Sequence, residues 1–218
     1  MPAADLDSEF SGCWLPVRRF GIRQGDKVRA VDDFSEGGHN SALSACETVA
    51  PSDLDDIAGA VRAHMAGMAG DLSLLGVGDP KHHNPKRHLD HRFCQLQGRL
   101  WDLAKAYRQL ARSPGHGSLT IVAAWDPVRK ETCYYRQVAM AFGASSSVLG
   151  FNWVASALSL CLVKLLFMSS TNFYDDFTVL ELESLTASAT ETTDAFFEIL
   201  GWELKPMEGF TSMPGRRP

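Results

Sequence analysis

Three Asp-Asp pairs, Asp32-Asp33, Asp55-Asp56 and Asp175-Asp176, are the residues of this sequence best suited to chemistry. Adjacent carboxylates repel one another and lose hydration when buried, so each pair needs a physical reason. Asp55-Asp56 falls in the first turn of an expected helix, where acids complement the macrodipole. Asp32-Asp33 precedes a Gly-rich stretch in which aspartate is an ordinary turn former. Asp175-Asp176 lies within TNFYDDFTV (171–179), flanked by Phe173-Tyr174 and Phe177, with Val179 and Leu180 continuing an apolar strand. One reading of this pair is a plain hairpin turn. The other is a metal site, because two carboxylates at a tight turn can aim hard oxygens at one point, as magnesium requires. A two-metal site needs a further carboxylate from another element. The candidate is Asp102, where a short strand is expected to give way to the helix LAKAYRQL; its plainer role is a helix N-cap.

The elements that would position these acids can be read along the chain. Residues 1–15 read as a loose lead-in, 16–207 as the folded domain and 208–218 as a loose tail. Residues 16–31 read as two short strands around Gln24-Gly25-Asp26, and 34–40 as a turn-rich loop. Residues 52–68 form an amphipathic helix with Ser52 as N-cap and Asp55 three residues on. Residues 78–92 are a polar loop, and 99–111 a strand running into a helix at Asp102. Residues 118–125 and 132–138 make a hairpin around Asp126-Pro127, and an apolar helix covers 145–165. Residues 172–182 are strand, turn and strand, and 188–200 a second amphipathic helix ended by Gly201. Helices mixed with hairpins indicate an α+β fold.

The 218 residues carry a formal net charge of −5 and 45% hydrophobic residues, ordinary globular values. Charge is uneven. Arg18, Arg19, Arg23, Lys27 and Arg29 face one acid, Asp26, within 18–29, whereas 175–198 hold acids and no lysine or arginine. Such asymmetry can give a basic groove on an acidic protein, or two solvated faces. The five cysteines form no CxxC pair, which points to a reducing, intracellular setting, with nucleus and cytoplasm both open. The acidic opening MPAADLDSEF has no apolar stretch of the secretory kind. The apolar segment 144–170 is interrupted by Asn152 and Lys164, so a buried core helix is expected rather than a membrane span. His82, His83, His88, His91 and Cys94 match no standard zinc pattern, and a solvated insertion is expected there.

Four segments share an order and spacing. KVRAVDDFSEGGHNSA (27–42), WDLAKAY (101–107), MAFGASSSVLGFN (140–152) and FYDDF (173–177) resemble, in turn, a fingers segment, the first catalytic motif, the Gly-containing loop with its helix, and the metal-binding hairpin of the reverse transcriptase family. The resemblance runs from about residue 16 to residue 205. It implies a polymerase palm, with an antiparallel sheet and packed helices, plus partial fingers. It implies RNA-directed DNA synthesis in which Asp102, Asp175 and Asp176, with the backbone carbonyl of Leu103, bind two magnesium ions, or manganese in their place. Lys27 and Arg29 would neutralise the incoming triphosphate, Tyr107 would act as the steric gate of a DNA-making enzyme, and Phe142 and Gly143 would meet the new base pair. The implied partners are an RNA or DNA template with its primer and deoxynucleoside triphosphates, without a membrane. The plainer roles are an exposed basic strand face for Lys27 and Arg29, a core aromatic for Tyr107, and helix initiation for Phe142 and Gly143. The alternative function is a catalytically inactive, nucleic-acid-binding remnant of a retroelement. Ala141 stands where the family commonly has proline. Lys205 is the one candidate for the later palm lysine, close behind Gly201. No thumb segment precedes Pro218, so a full-length protein is expected to carry one, with any further domains downstream.

Overall fold

The computed structural model describes residues 1–45, 47–69 and 95–206 of a mixed α+β chain. Its strands are β1 (Pro16–Gln24), β2 (Lys27–Asp33), β3 (Leu96–Asp102), β4 (Ile121–Asp126), β5 (Glu131–Arg136), β6 (Ser169–Phe173) and β7 (Asp176–Leu182). Its α-helices are α1 (Ala3–Phe10), α2 (Leu54–Ala69), α3 (Ser145–Lys164) and α4 (Thr186–Ile199). Two compact units divide the chain: Met1–Ala50 with Lys105–Val154, and Pro51–Ala104 with Ala155–Pro218. The histidine-rich stretch and the tail 208–218 lie outside the described residues.

The first unit is built on a four-stranded sheet in the order β2-β1-β4-β5. Gly25, at φ +58, allows the tight two-residue turn that joins β1 to β2. β1 then pairs in parallel with β4, Val17 beside Val122, and β4 forms the expected hairpin with β5. Val17, Phe34, Ala141 and Ala144 make a buried apolar cluster. The stretch expected to be a loose lead-in is structured. α1 buries Leu6, and the Trp14 indole donates to Asp7 at 2.8 Å while its ring meets Tyr134 edge-on at 5.2 Å.

The second unit is built on a three-stranded antiparallel sheet in the order β3-β7-β6. Helix α4 buries Ala189, Thr193 and Phe197, a stripe at i, i+4 and i+8. Phe197 meets Phe177 of β7 at 5.2 Å, and the Trp101 indole of β3 donates to Asp194 at 2.7 Å. Helix α2 starts from Asp53 rather than Ser52. Asp53 accepts from the backbone N–H of Asp55 at 2.8 Å and of Asp56 at 3.2 Å, and Asp56 returns a bond to the Asp53 N–H at 2.9 Å. This reciprocal cap was open to a carboxylate one residue later than the expected serine. Helix α3 is long and apolar enough to cross a membrane by length and composition. Its buried residues Phe151, Ala155, Leu158 and Leu162 nevertheless follow one helical stripe, and Asn152 and Ser159 are buried with them.

The expected helix over 103–111 does not form. One turn of 3₁₀ helix, Ala106–Gln109, stands there, preceded by Lys105 at φ +59. The backbone beyond β3 is already engaged. The Leu103 N–H donates to the Asp175 carbonyl at 3.2 Å and the Ala104 N–H to the Glu203 carbonyl at 2.8 Å. Strand-like pairing to distant residues overrides the local helix propensity.

Candidate functional site

The acid pair sits on the β6–β7 hairpin. Phe173 pairs with Asp176, so Tyr174-Asp175 is a two-residue turn. Tyr174 takes φ +52 there, a left-handed conformation that costs a residue with a Cβ roughly 1–2 kcal/mol. Its ring meets Phe173 edge-on at 4.9 Å. On the other side of β7, antiparallel β3 sets Asp102 opposite Asp176. Cross-strand partners of this kind have Cβ atoms about 4.5–5.5 Å apart. Because Leu103 bonds the Asp175 carbonyl, the acids of two sequence-distant segments are gathered at one end of one sheet. Leu103 is fully buried and bridges to Leu204.

The electrostatics of this corner are those of crowded acids. Burial, followed by the charges of Asp102 and Asp175, pushes the Asp176 carboxyl above the usual carboxylate range, and Lys205 offsets part of this. Asp102 Oδ1 is buried and has no hydrogen-bond partner among the described residues. The other carboxylate oxygen of Asp102 accepts from Lys205 Nζ, and its main-chain carbonyl accepts from the Lys205 N–H at 2.9 Å. The bond to Asp102 holds the Lys205 ammonium above its usual value, and the charges of all three aspartates add to this against partial burial. Among the described residues, no three His, Cys, Asp or Glu side chains form a group able to hold a metal ion as they stand.

Lys205, expected only as the candidate for the later palm lysine, joins the three aspartates through a contact with Asp102 that the sequence did not foretell. Gly201, at φ +77, closes α4 and turns the chain back, so that residues 203–205 run alongside 102–104. A signal existed, since Lys205 is the one lysine after Lys164. Its distance from Asp102 in sequence hid the contact.

The residues expected to handle a nucleotide lie in the first unit. Lys27 and Arg29 share a strand face with Ile22, Gln24, Phe20 and Val31. Both are exposed and make no ion pair with any described residue. On the same face Arg18 lies over the Phe20 ring at 5.4 Å. The half-buried Tyr107 ring stands 5.7 Å from Phe142 and 4.8 Å from Phe151, within an aromatic group of its own unit. Gly143 has φ +103, and a Cβ there would come within 2.4 Å of the Asp32 carbonyl oxygen, so no side chain fits. A separate cavity of about 460 Å³ in this unit is bordered by Phe34, His39, Arg112, Met140 and Ala144. It is lined by none of Lys27, Arg29, Tyr107, Phe142 and Gly143.

No protein-family model matches the chain, and no curated protein matches it.

Proposed function

We propose that the acidic end of the three-stranded sheet is a two-magnesium centre for nucleotidyl transfer, and that the chain carries the palm and partial fingers of a reverse-transcriptase-like, RNA-directed DNA polymerase. The observation that carries this reading is the β3–β7 register, with Asp102 opposite Asp176 and Leu103 bonded to Asp175. The residues suit a dication in two respects. Asp102 Oδ1 is buried without a partner, and Asp176 is crowded by two other acids. A cation would satisfy the first and relieve the second. Asp102, Asp175 and Asp176, with the Leu103 carbonyl, would hold the ions, and manganese could take the same oxygens. Such a pair of ions, when bound, supplies an activated attacking hydroxyl and charge neutralisation at the departing pyrophosphate.

The chain's own residues have separate tasks in this reading. Lys27 offers a point charge and Arg29 a forked donor to a triphosphate. The Tyr107 ring limits the space beside the sugar C2′ and so favours deoxynucleotides. Phe142 and Gly143 present an aromatic edge and a bare backbone to the new base pair. Lys205 holds the Asp102 carboxylate while the acids lack other positive charge.

A second reading, a catalytically inactive nucleic-acid-binding remnant of a retroelement, has its own support. Lys205 already fills one side of Asp102, and no three acids gather into a metal-holding group among the described residues. Of the two, the backbone register fits the first reading and the side chains as they stand fit the second. The basic and aromatic face of β1 and β2 suits a single strand in either case. The deciding experiment gives the full chain a primed RNA template, deoxynucleotides and magnesium. Nucleotide incorporation that disappears in Asp102→Asn and Asp175→Asn, with template binding retained, supports nucleotidyl transfer. Template binding without incorporation supports the remnant, and loss of both rejects the two together.

A further inference from the structure

We propose that Asn40 is a positioning residue that fixes the loop 142–145, and through it the nucleotide-facing Phe142 and Gly143; this role rests on the nucleotidyl-transfer reading. Helix α3 begins at Ser145, and the residue before it is Ala144. Alanine has no side-chain acceptor, so the first N–H groups of α3 need a partner from another segment. Asn40 supplies it, because its Oδ1 accepts from the Ser145 N–H at 2.9 Å. The same amide donates through Nδ2 to the Gly143 carbonyl at 3.1 Å and to Ser35 Oγ at 3.2 Å. The acceptor and the donor nitrogen of the amide are thus both engaged, and two of the three bonds reach a loop more than a hundred residues away.

The segment bearing Asn40 is itself tied by hydrogen bonds. Asp33 Oδ1 accepts from the backbone N–H of Ser35 at 3.1 Å and of Glu36 at 2.9 Å, and the Asn40 N–H donates to the Phe34 carbonyl at 3.0 Å. The turn touches the loop at a second point, where the Asp32 carbonyl oxygen lies so close to Gly143 that a Cβ would sit 2.4 Å from it. Asn40 therefore holds the loop from one side while the Asp32 carbonyl limits it from the other. Phe142 directly precedes the gripped Gly143, and its ring stands 5.7 Å from that of Tyr107. The bonds of Asn40 all lie within the first unit, so on the nucleotidyl-transfer reading the loss is expected in nucleotide binding rather than in the chemical step.

The test compares wild type, Asn40→Ala, Asn40→Asp and Ser35→Ala as full chains in steady-state incorporation on a primed RNA template, with Tm measured for each. Asn40→Ala should raise KM for the deoxynucleotide about tenfold and leave kcat within about threefold. Asn40→Asp keeps an acceptor for the Ser145 N–H and should recover part of the loss. Ser35→Ala removes the bond that orients the amide and should raise KM by less than Asn40→Ala; these two milder variants keep the test open if Asn40→Ala does not fold. A fall in kcat at unchanged KM, tracking the fall in Tm, would mean that Asn40 is only structural and overturns the proposal. Active wild type with unchanged kinetics in all three variants overturns the positioning role alone. A wild type that incorporates nothing overturns the nucleotidyl-transfer reading and this role with it.

Discussion

The dipeptide Asp-Asp occurs in both units and meets opposite surroundings. In the first unit, Asp32 accepts from Arg19 Nε at 2.6 Å, Arg19 Nη2 at 2.9 Å and Gln137 Nε2 at 3.1 Å. Its neighbour Asp33 is held below the usual carboxylate range, chiefly by the backbone N–H of Glu36, with Ser35 and Arg18 adding to it. In the second unit, Asp176 is raised by burial and by the other two acids, and Asp102 keeps one buried oxygen without a partner. The residue types are identical; the supply of donors differs. A carboxylate surrounded by donors is part of the architecture. Carboxylates that face one another with a single lysine are short of positive charge, and that shortage is what the proposed magnesium centre would relieve.

The largest effect expected from this contrast is structural. The Asp32 side chain is 2% exposed and that of Arg19 is 30% exposed. Asp32→Ala strands the guanidinium and the Gln137 amide, and breaking a buried pair from one side costs about 3–5 kcal/mol. Thermal unfolding should show Tm lower by on the order of 10 °C. Asp175→Ala, by contrast, should leave Tm within a few degrees, at about 1 kcal/mol or less, because no donor among the described residues depends on its carboxylate. Equal losses from the two substitutions would erase the distinction drawn between the pairs.

The same contrast marks what the sequence could disclose. The β1–β2 hairpin was legible because Gly25 punctuates an alternating stretch, and the β6–β7 hairpin because Asp175-Asp176 interrupts apolar residues. Helix α3 was legible from its apolar run. These signals are local. The segment after Asp102 has the composition of a helix and became a 3₁₀ turn, because Leu103 and Ala104 spend their N–H groups on residues 175 and 203. Helix α1 is only 8 residues long, with no side-chain cap, so nothing local announced it. The placing of Asp102 opposite Asp176 was anticipated only from the chemistry assigned to the acids. The Lys205 contact depends on how α4 ends and returns, which no spacing within one segment encodes.

Lys205 offers a sharper and smaller test. Lys205→Met keeps much of the side-chain length and removes the charge. Without magnesium the variant should melt below wild type, since three carboxylates then lose their nearest cation. With magnesium it should gain more than wild type, because no ammonium has to be displaced from Asp102. Melting curves at increasing magnesium should show half of the rise at a concentration several-fold lower in the variant. Identical magnesium responses would mean that Lys205 and the metal do not compete for Asp102, and would separate this corner from the Asp32 pair less sharply than proposed.

The smallest expected effect concerns Asp176 and pH. Its folded carboxyl lies above the usual range, with burial the first cause and the charges of Asp102 and Asp175 next. In the folded state it therefore keeps its proton to a higher pH than in the unfolded chain. Between the unfolded value and the raised folded value the native state binds more protons, so stability falls as pH rises through that window and stays lower above it. Asp176→Asn has no proton to lose. The variant and wild type should melt alike below the window, and above it the variant should melt higher, on the order of a degree once solvent screening is allowed for. Magnesium should narrow that gap by stabilising the wild type, whose third carboxylate is then an asset rather than a cost. Asp33→Asn is the opposite control. Its folded carboxyl is depressed, so its contribution is present above the ordinary carboxylate value and is lost as pH falls through the depressed one. The neutral variant should therefore melt lower than wild type near pH 7. If both asparagine variants shift Tm in the same direction near pH 7, the division of the acid pairs into donor-rich and donor-poor does not govern their energetics.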